Sequence, residues 1–234
     1  MFQGKMKAVT FSYDDGVTQD KRLIELFNKY GLKGTFNLNS ELLGLDGELI
    51  REGARVSHNK VKPEEVSAVY RGHEVAVHTL THPNLHETMD DAEVIRQVEE
   101  DRKNLEKLVG YDVVGMAYPC GGVNNDDRVA EILKKHTKIQ YSRTITSTYS
   151  FDLQENLHRF NPTVYHIMQM EQLFELGEKF VKLDADKPQI FYIWGHSYEF
   201  DIADTWGRME EFCKLIANRD DIFYGTNREV LLKP

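Results

Sequence analysis

Short apolar runs alternate with amphipathic helical stretches along the whole chain. Residues 7–12 (KAVTFS) read as a buried strand. A helix is predicted over residues 19–30, where Leu23, Ile24, Phe27 and Tyr30 share one face and Gly31 stops it. Residues 34–38 (GTFNL) form the next strand. Residues 40–65, charged and Gly-containing, read as an irregular excursion. Residues 74–78 (EVAVH) are a third strand. Residues 90–109 are a helix carrying Val94, Val98, Leu105 and Leu108, closed by Gly110. The alternation continues with a strand at 113–118, a helix at 126–135 and a strand at 139–143. A polar stretch at 144–167 has room for one more strand. It is followed by a helix at 170–181, a strand at 189–194 (QIFYIW), a helix at 205–217 and a short strand at 222–224.

Six or seven strands alternating with helices predict an α/β fold with a parallel sheet. At 234 residues the chain is slightly short for a full eightfold barrel, so a distorted or incomplete barrel fits. An open doubly wound sheet is the alternative. No Pro-, Gly- or Ser-rich linker and no internal repeat interrupts the pattern, so residues 1–234 read as a single domain.

Composition adds little to this but excludes some partners. The hydrophobic share of 41% is enough for a sizeable core. A net charge of −9 without a Lys or Arg run argues against nucleic acid and anionic membrane as partners. The opening residues, MFQGKMKAVTF, hold no apolar stretch of signal-peptide length, so the expectation is a cytoplasmic protein; a leader trimmed beforehand would leave the same sequence. Cys120 and Cys213 are far apart in sequence, and free thiols are the simpler reading.

The chemistry-bearing residues fall just past the C-terminal ends of the predicted strands. Asp14 and Asp15 follow the first strand, and Asn37 and Asn39 end the second. His78 ends the third with His82 close behind, the YPCGG loop follows the fourth, Arg143 ends the fifth, and His196 follows QIFYIW. In parallel α/β folds that face carries the site. His78 and His82 stand three residues apart in HTLTHP, a spacing that turns two imidazoles the same way, and a carboxylate from the Asp pair completes two His plus one acid. With open positions, that is a catalytic zinc or iron(II) set rather than a closed structural one. A dication also explains two adjacent carboxylates: one ligates while its neighbour stays free as a base. His196 would protonate the leaving group. His58, His86 and His136 read as solvated loop or helix-end residues.

TFSYDDG, HTLTH, AYPCGG and IWGHS, in that order, resemble the successive motifs of polysaccharide deacetylases, the NodB-homology domain of carbohydrate esterase family four. The resemblance runs from about residue 6 to residue 225. It implies a distorted (β/α)7-type barrel and a metal-dependent hydrolase that removes acetyl groups from N- or O-acetylated sugars. The bonds it cuts would be amide carbon–nitrogen bonds other than peptides. One divalent ion is implied, zinc first, with cobalt, nickel or manganese as alternatives.

Carried over by residue, Asp14 corresponds to the base, Asp15, His78 and His82 to the metal ligands, and His196 to the acid. The Cys120 N–H corresponds to the oxyanion donor. Tyr118, Asn37, Tyr198 and Trp206 are candidates to line or hydrogen-bond the sugar, while Trp194 reads as a core residue. The sequence departs from the family where an Arg normally holds the base, which here is Ala117, and where an aromatic follows Pro119, which here is Cys120. It shows no counterpart of the family's Asp–Trp motif. Arg143 is the candidate replacement for the missing Arg, against an ordinary structural ion pair. Asp152 or Glu199 is the candidate to orient His196. The expected substrate is a small or oligomeric acetylated saccharide. The competing readings are a sugar-binding relative without chemistry, and a hydrolase of a non-sugar amide.

Overall fold

The computed structural model describes residues 1–51, 53–86, 89–166 and 170–232; the last residue of the predicted 144–167 stretch lies outside them. In chain order the elements are β1 (Lys7–Asp14), α1 (Asp20–Lys29), β2 (Gly34–Leu38), β3 (Glu48–Arg51), β4 (Ala54–Ser57), α2 (Val66–Val69), β5 (Glu74–Val77) and α3 (Asp91–Val109). They continue with β6 (Gly115–Ala117), α4 (Asp127–His136), β7 (Tyr141–Arg143), β8 (Val164–Tyr165), α5 (Met170–Lys182) and β9 (Gln189–Gly195). The chain ends with α6 (Glu199–Ile202), α7 (Trp206–Ile216), β10 (Ile222–Tyr224) and α8 (Asn227–Leu231).

The main sheet runs β7-β6-β5-β2-β1-β9-β8, with β10 paired to the start of β1, and its pairings are parallel. The two ends of this order approach each other. Phe160, just before β8, makes a parallel bridge to Arg143 at the end of β7. The sheet therefore curls into a distorted seven-stranded barrel closed by a thin seam. Every residue of β1, β2, β5 and β9 is buried, which is why these strands read as continuous apolar runs rather than alternating ones.

Helix boundaries follow local signals. Asp90 accepts from the Glu93 N–H at 2.8 Å and caps α3, whose C-terminal Gly110 sits at φ 77°. Asp126 caps α4 through the Val129 N–H at 2.7 Å. Among the described residues, no helix is long and apolar enough to cross a membrane.

The main departure from the sequence reading lies at residues 40–65. This segment holds an antiparallel hairpin, β3–β4, and a 3-10 turn over Pro63–Glu65 leading into α2. The hairpin strands have four residues each and are mostly exposed, so they carry almost no apolar signal. Helix α6 was also missed, because only three residues separate it from β9 and it lasts a single turn.

Candidate active site

The strand ends place Asp14, Asp15, His78, His82, Tyr118, Cys120, His196 and Tyr198 on the walls of one cleft of about 650 Å³. Asp14 is the last residue of β1 and stays extended with the strand, whereas Asp15 turns into the left-handed region at φ 82°. This change of backbone direction separates the neighbouring carboxylates. Gly16 follows at φ 61°, and a Cβ there would meet Leu38 Cδ2 at 2.7 Å, so the turn requires glycine.

Asp15 Oδ1 faces His78 Nε2 at 3.8 Å and His82 Nε2 at 3.6 Å. One ligand atom from each of the three residues lies within 4.8 Å of the other two. His78 Nδ1 donates to the Ala117 carbonyl at 2.9 Å, so its Nε2 keeps a lone pair turned toward Asp15. Burial depresses the imidazole of His78 to about 4, and burial also lowers His82. Both rings are therefore neutral at pH 7, as metal ligands must be. Burial alone would raise Asp15, but the His58 hydrogen bond and the Lys60 charge outweigh it and hold the carboxyl well below its usual range. Two imidazole nitrogens and one carboxylate, in their binding forms and converging on one point, fit a divalent cation. His78 itself is fixed by its peptide N–H, which donates to Leu38 O at 2.9 Å and contacts Asp101 Oδ2 at 3.2 Å.

Asp14 is held from behind. Arg143, fully buried at the end of β7, places Nη2 2.6 Å from Asp14 Oδ1 and 2.5 Å from Oδ2. Its Nε reaches Ser12 Oγ at 3.2 Å, its Nη1 donates to Thr144 O at 3.0 Å, and its guanidinium lies 4.4 Å from the Trp194 ring centroid. Arg143 lies in register with Ala117 on the neighbouring strand β6, and from there its guanidinium contacts Asp14. Asn37 donates to Asp14 Oδ1 at 2.7 Å and to Ser12 Oγ at 2.9 Å. Because it pairs in register with Asp14 across β1 and β2 and is fully buried, it braces the carboxylate rather than meeting substrate, contrary to the sequence expectation.

On the opposite wall, His196 Nδ1 lies 3.3 Å from Glu199 Oε2, while Asp152 pairs with Lys187 on the surface. Glu199 is therefore the residue beside the imidazole. Burial alone would lower His196, but the charge and hydrogen bond of Glu199, together with Asp15 and Asp14, lift it to about 9. Glu199 is itself a hub. Its Oε2 lies 3.3 Å from His166 Nε2, its Oε1 lies 2.8 Å from Arg51 Nη1, and the Tyr165 hydroxyl donates to it. His166 fits beneath β9 because residue 195 is Gly; a Cβ there would meet the imidazole at 2.4 Å.

The remaining expectations divide. Tyr118 lines the cleft with its hydroxyl committed to His158 O at 2.7 Å. Cys120 stands at the rim at φ 68°, with Sγ 3.5 Å from His82 O, and Asn124 braces the loop by donating to Pro119 O at 3.0 Å and Cys120 O at 2.9 Å. Trp206 is not among the cleft-lining residues. Its indole donates to Asp201 Oδ1 at 2.8 Å, and Arg22 covers its ring, because the start of α7 faces α1. Trp194, expected in the core, is buried but also lines the cleft, stacked on Tyr165. His58, expected to be solvated, points into the cleft with Nε2 3.1 Å from Asp15 Oδ2. Lys60 and Arg51 line the cleft with it and were not anticipated from the sequence.

The sequence model of the family described as Polysaccharide deacetylase matches residues 3–139, more than half of the chain and three of the four motif regions. The chain belongs to the polysaccharide deacetylase family. A comparison with curated proteins finds no match. Among solved structures, the Xyl-CE4 domain of a multidomain xylanase from the hindgut metagenome of Trinervitermes trinervoides superposes with a TM-score of 0.57 at 17% identity, covering 98% of this chain and 90% of that one. A CE4 family pseudoenzyme from Bacillus anthracis gives a TM-score of 0.53 at 17% identity, covering 99% and 66%. The Streptococcus pyogenes deacetylase PplD, in complex with acetate, gives 0.51 at 18%, covering 64% and 61%. The chain thus spans about two thirds or less of the length of the last two. At these identities the likeness is one of fold.

Proposed function

We propose that this chain is a divalent-metal-dependent hydrolase that removes acetyl groups from a small or oligomeric N- or O-acetylated saccharide. The observation that carries the reading is the division of labour between adjacent carboxylates: Asp15 converges with His78 and His82, while Asp14 is braced by Arg143 and Asn37. Asp15, His78 and His82 would hold a divalent ion, zinc first, which would supply a Lewis acid to polarise the acyl carbonyl and to acidify water. Asp14 takes the proton of the attacking water at Oδ2, the oxygen turned toward His78 Nε2 at 3.9 Å. The Cys120 N–H donates to the oxygen that gains charge as the carbonyl becomes tetrahedral, worth about 10²–10³ in rate for such a donor. His196, protonated under the charge of Glu199, gives its proton to the departing nitrogen or oxygen. Trp194, Tyr165 and Tyr118 contribute aromatic carbon to the cleft wall beside these groups.

A relative that binds sugar without chemistry is the competing reading, and it rests on Ala117 standing where the family has Arg. Arg143 seated on Asp14 supports the active reading instead. The test is metal analysis of the purified protein with an acetate-release screen over soluble N-acetyl sugars, with and without chelator. Asp14→Asn should abolish turnover while metal stays bound, and full activity in that variant would sink the mechanism. Saturable sugar binding by metal-loaded protein with no acetate released would favour the non-catalytic relative.

A further inference from the structure

The hairpin excursion reaches back to the metal cluster. Residues 58–61 lie along the turn that follows the Asp pair: Thr18 N–H donates to Asn59 O at 2.8 Å, Val61 N–H to Gly16 O at 2.9 Å, and Val17 and Lys60 form an antiparallel bridge. This backbone register sets His58 directly against Asp15, with Nε2 3.1 Å from Oδ2. The ring is also held edge-on by Tyr198, centroids 5.1 Å apart at an interplanar angle of 84°.

Asp15 therefore has two oxygens with different partners. Oδ1 is the one His78 and His82 approach, and Oδ2 is taken by His58. Among the described residues, the donor atoms that converge within 4.8 Å belong to Asp15, His78 and His82, and His58 stays outside that set. Lys60 adds a third restraint, donating from Nζ to the Asp15 carbonyl at 2.8 Å. A non-glycine residue at φ 82° is strained and persists only where its surroundings hold it.

We propose that His58 is a positioning residue of the metal centre: its Nε2–H holds Asp15 Oδ2 so that Oδ1 alone is presented, preorganised, beside His78 and His82. This rests on the metal-dependent reading above. A carboxylate with one oxygen tied offers the other in a fixed direction. An untied one rotates about its last bond and loses part of its binding free energy to ordering. Outer partners of this kind are worth about 10–100-fold in metal affinity.

The test is metal binding by the full chain, stripped with chelator and titrated with Zn2+ against a chromophoric competitor and with Co2+ by absorption. His58→Ala should weaken the Zn2+ dissociation constant about 10–100-fold while the Co2+ ligand-field bands keep their positions. His58→Gln, which retains an N–H donor, should recover most of the affinity. His82→Ala, which removes a ligand, should change the Co2+ spectrum itself. Wild-type affinity in His58→Ala overturns the proposal. So does a Co2+ spectrum altered as in His82→Ala, which would make His58 a direct ligand. A wild-type chain that binds neither ion overturns the metal-dependent reading and this proposal with it.

Discussion

Removing the guanidinium behind Asp14 is the sharpest test of how this site is built. Arg143→Met keeps the apolar stem of the side chain and deletes a buried cation that contacts Asp14, Ser12 and Thr144. Asp14 is then a 2% exposed carboxylate that has lost its ion pair with Arg143. Breaking a buried pair from one side costs about 3–5 kcal/mol, because the other charge is left without compensation. Here the Asn37 hydrogen bond remains, so the lower end, about 3 kcal/mol, is expected. For a chain of this size that lowers the melting temperature by about 6–12 °C. The decisive assay is a double-mutant cycle read by urea unfolding. Asp14→Asn alone leaves the guanidinium unpaired, while the double variant removes both charges. The double should therefore be more stable than the sum of the single costs predicts, by about 2 kcal/mol or more. Additive costs would show that Arg143 and Asp14 are not one energetic unit, and the substitution of Arg143 for the arginine missing at position 117 would lose its physical basis.

Two further outcomes follow from the titrating groups. Glu199→Gln removes the charge that most raises His196, so the alkaline limb of kcat/KM should move to lower pH by about one to two units; an unmoved limb would mean that another group protonates the leaving atom. His73 is a neutral structural histidine: its Nδ1 accepts from Gly34 N–H at 3.1 Å, its Nε2 faces Asn28 Oδ1 at 3.2 Å, and burial depresses it to about 4. The unfolded chain takes up this proton near pH 6.5 and the folded chain only near pH 4, so stability is intact above about 6.5 and lost as pH falls. Between pH 7 and pH 5 this group contributes a loss of about 2 kcal/mol, read by urea unfolding as the difference in pH slope between wild type and His73→Asn; an equal slope in that variant would assign the contribution elsewhere.

Much of the barrel was legible because its strands are buried on both faces and its helices carry a single apolar stripe. Strands β2 and β10 match their predicted bounds, and α1, α3, α4, α5 and α7 deviate by at most one residue at either end. What was not legible has a common physical cause. Short elements on the surface carry no hydrophobic period, so β3 and β4 disappear into a charged stretch, and with them go Arg51 and His58; α6 is a single turn, too short to show a period, although Glu199 within it was a candidate partner of His196. His58 looked solvated because nothing in its local sequence indicates that a hairpin folds residues 58–61 onto the turn after the Asp pair. Asn37 and Trp206 were misplaced for the opposite reason. Both lie beside site motifs in sequence, but register aims Asn37 at Asp14 and helix packing turns Trp206 toward Arg22.

Each of the two adjacent carboxylates has its own counter-charge, reached from a different direction. Arg143 reaches Asp14 from inside the barrel across β9, and Lys60 and His58 reach Asp15 from the hairpin outside it. Moving both cations to one side would leave one buried Asp without a counter-charge. The change from extended backbone at Asp14 to φ 82° at Asp15 lets these two supports act without competing. The same arrangement makes the acid wall part of the system, since Arg51 in the hairpin pairs with Glu199 while His58, seven residues on, holds Asp15. Displacing this hairpin would loosen Asp15 and Glu199 together. The base, anchored to Arg143 and Asn37 within the sheet, would stay in place.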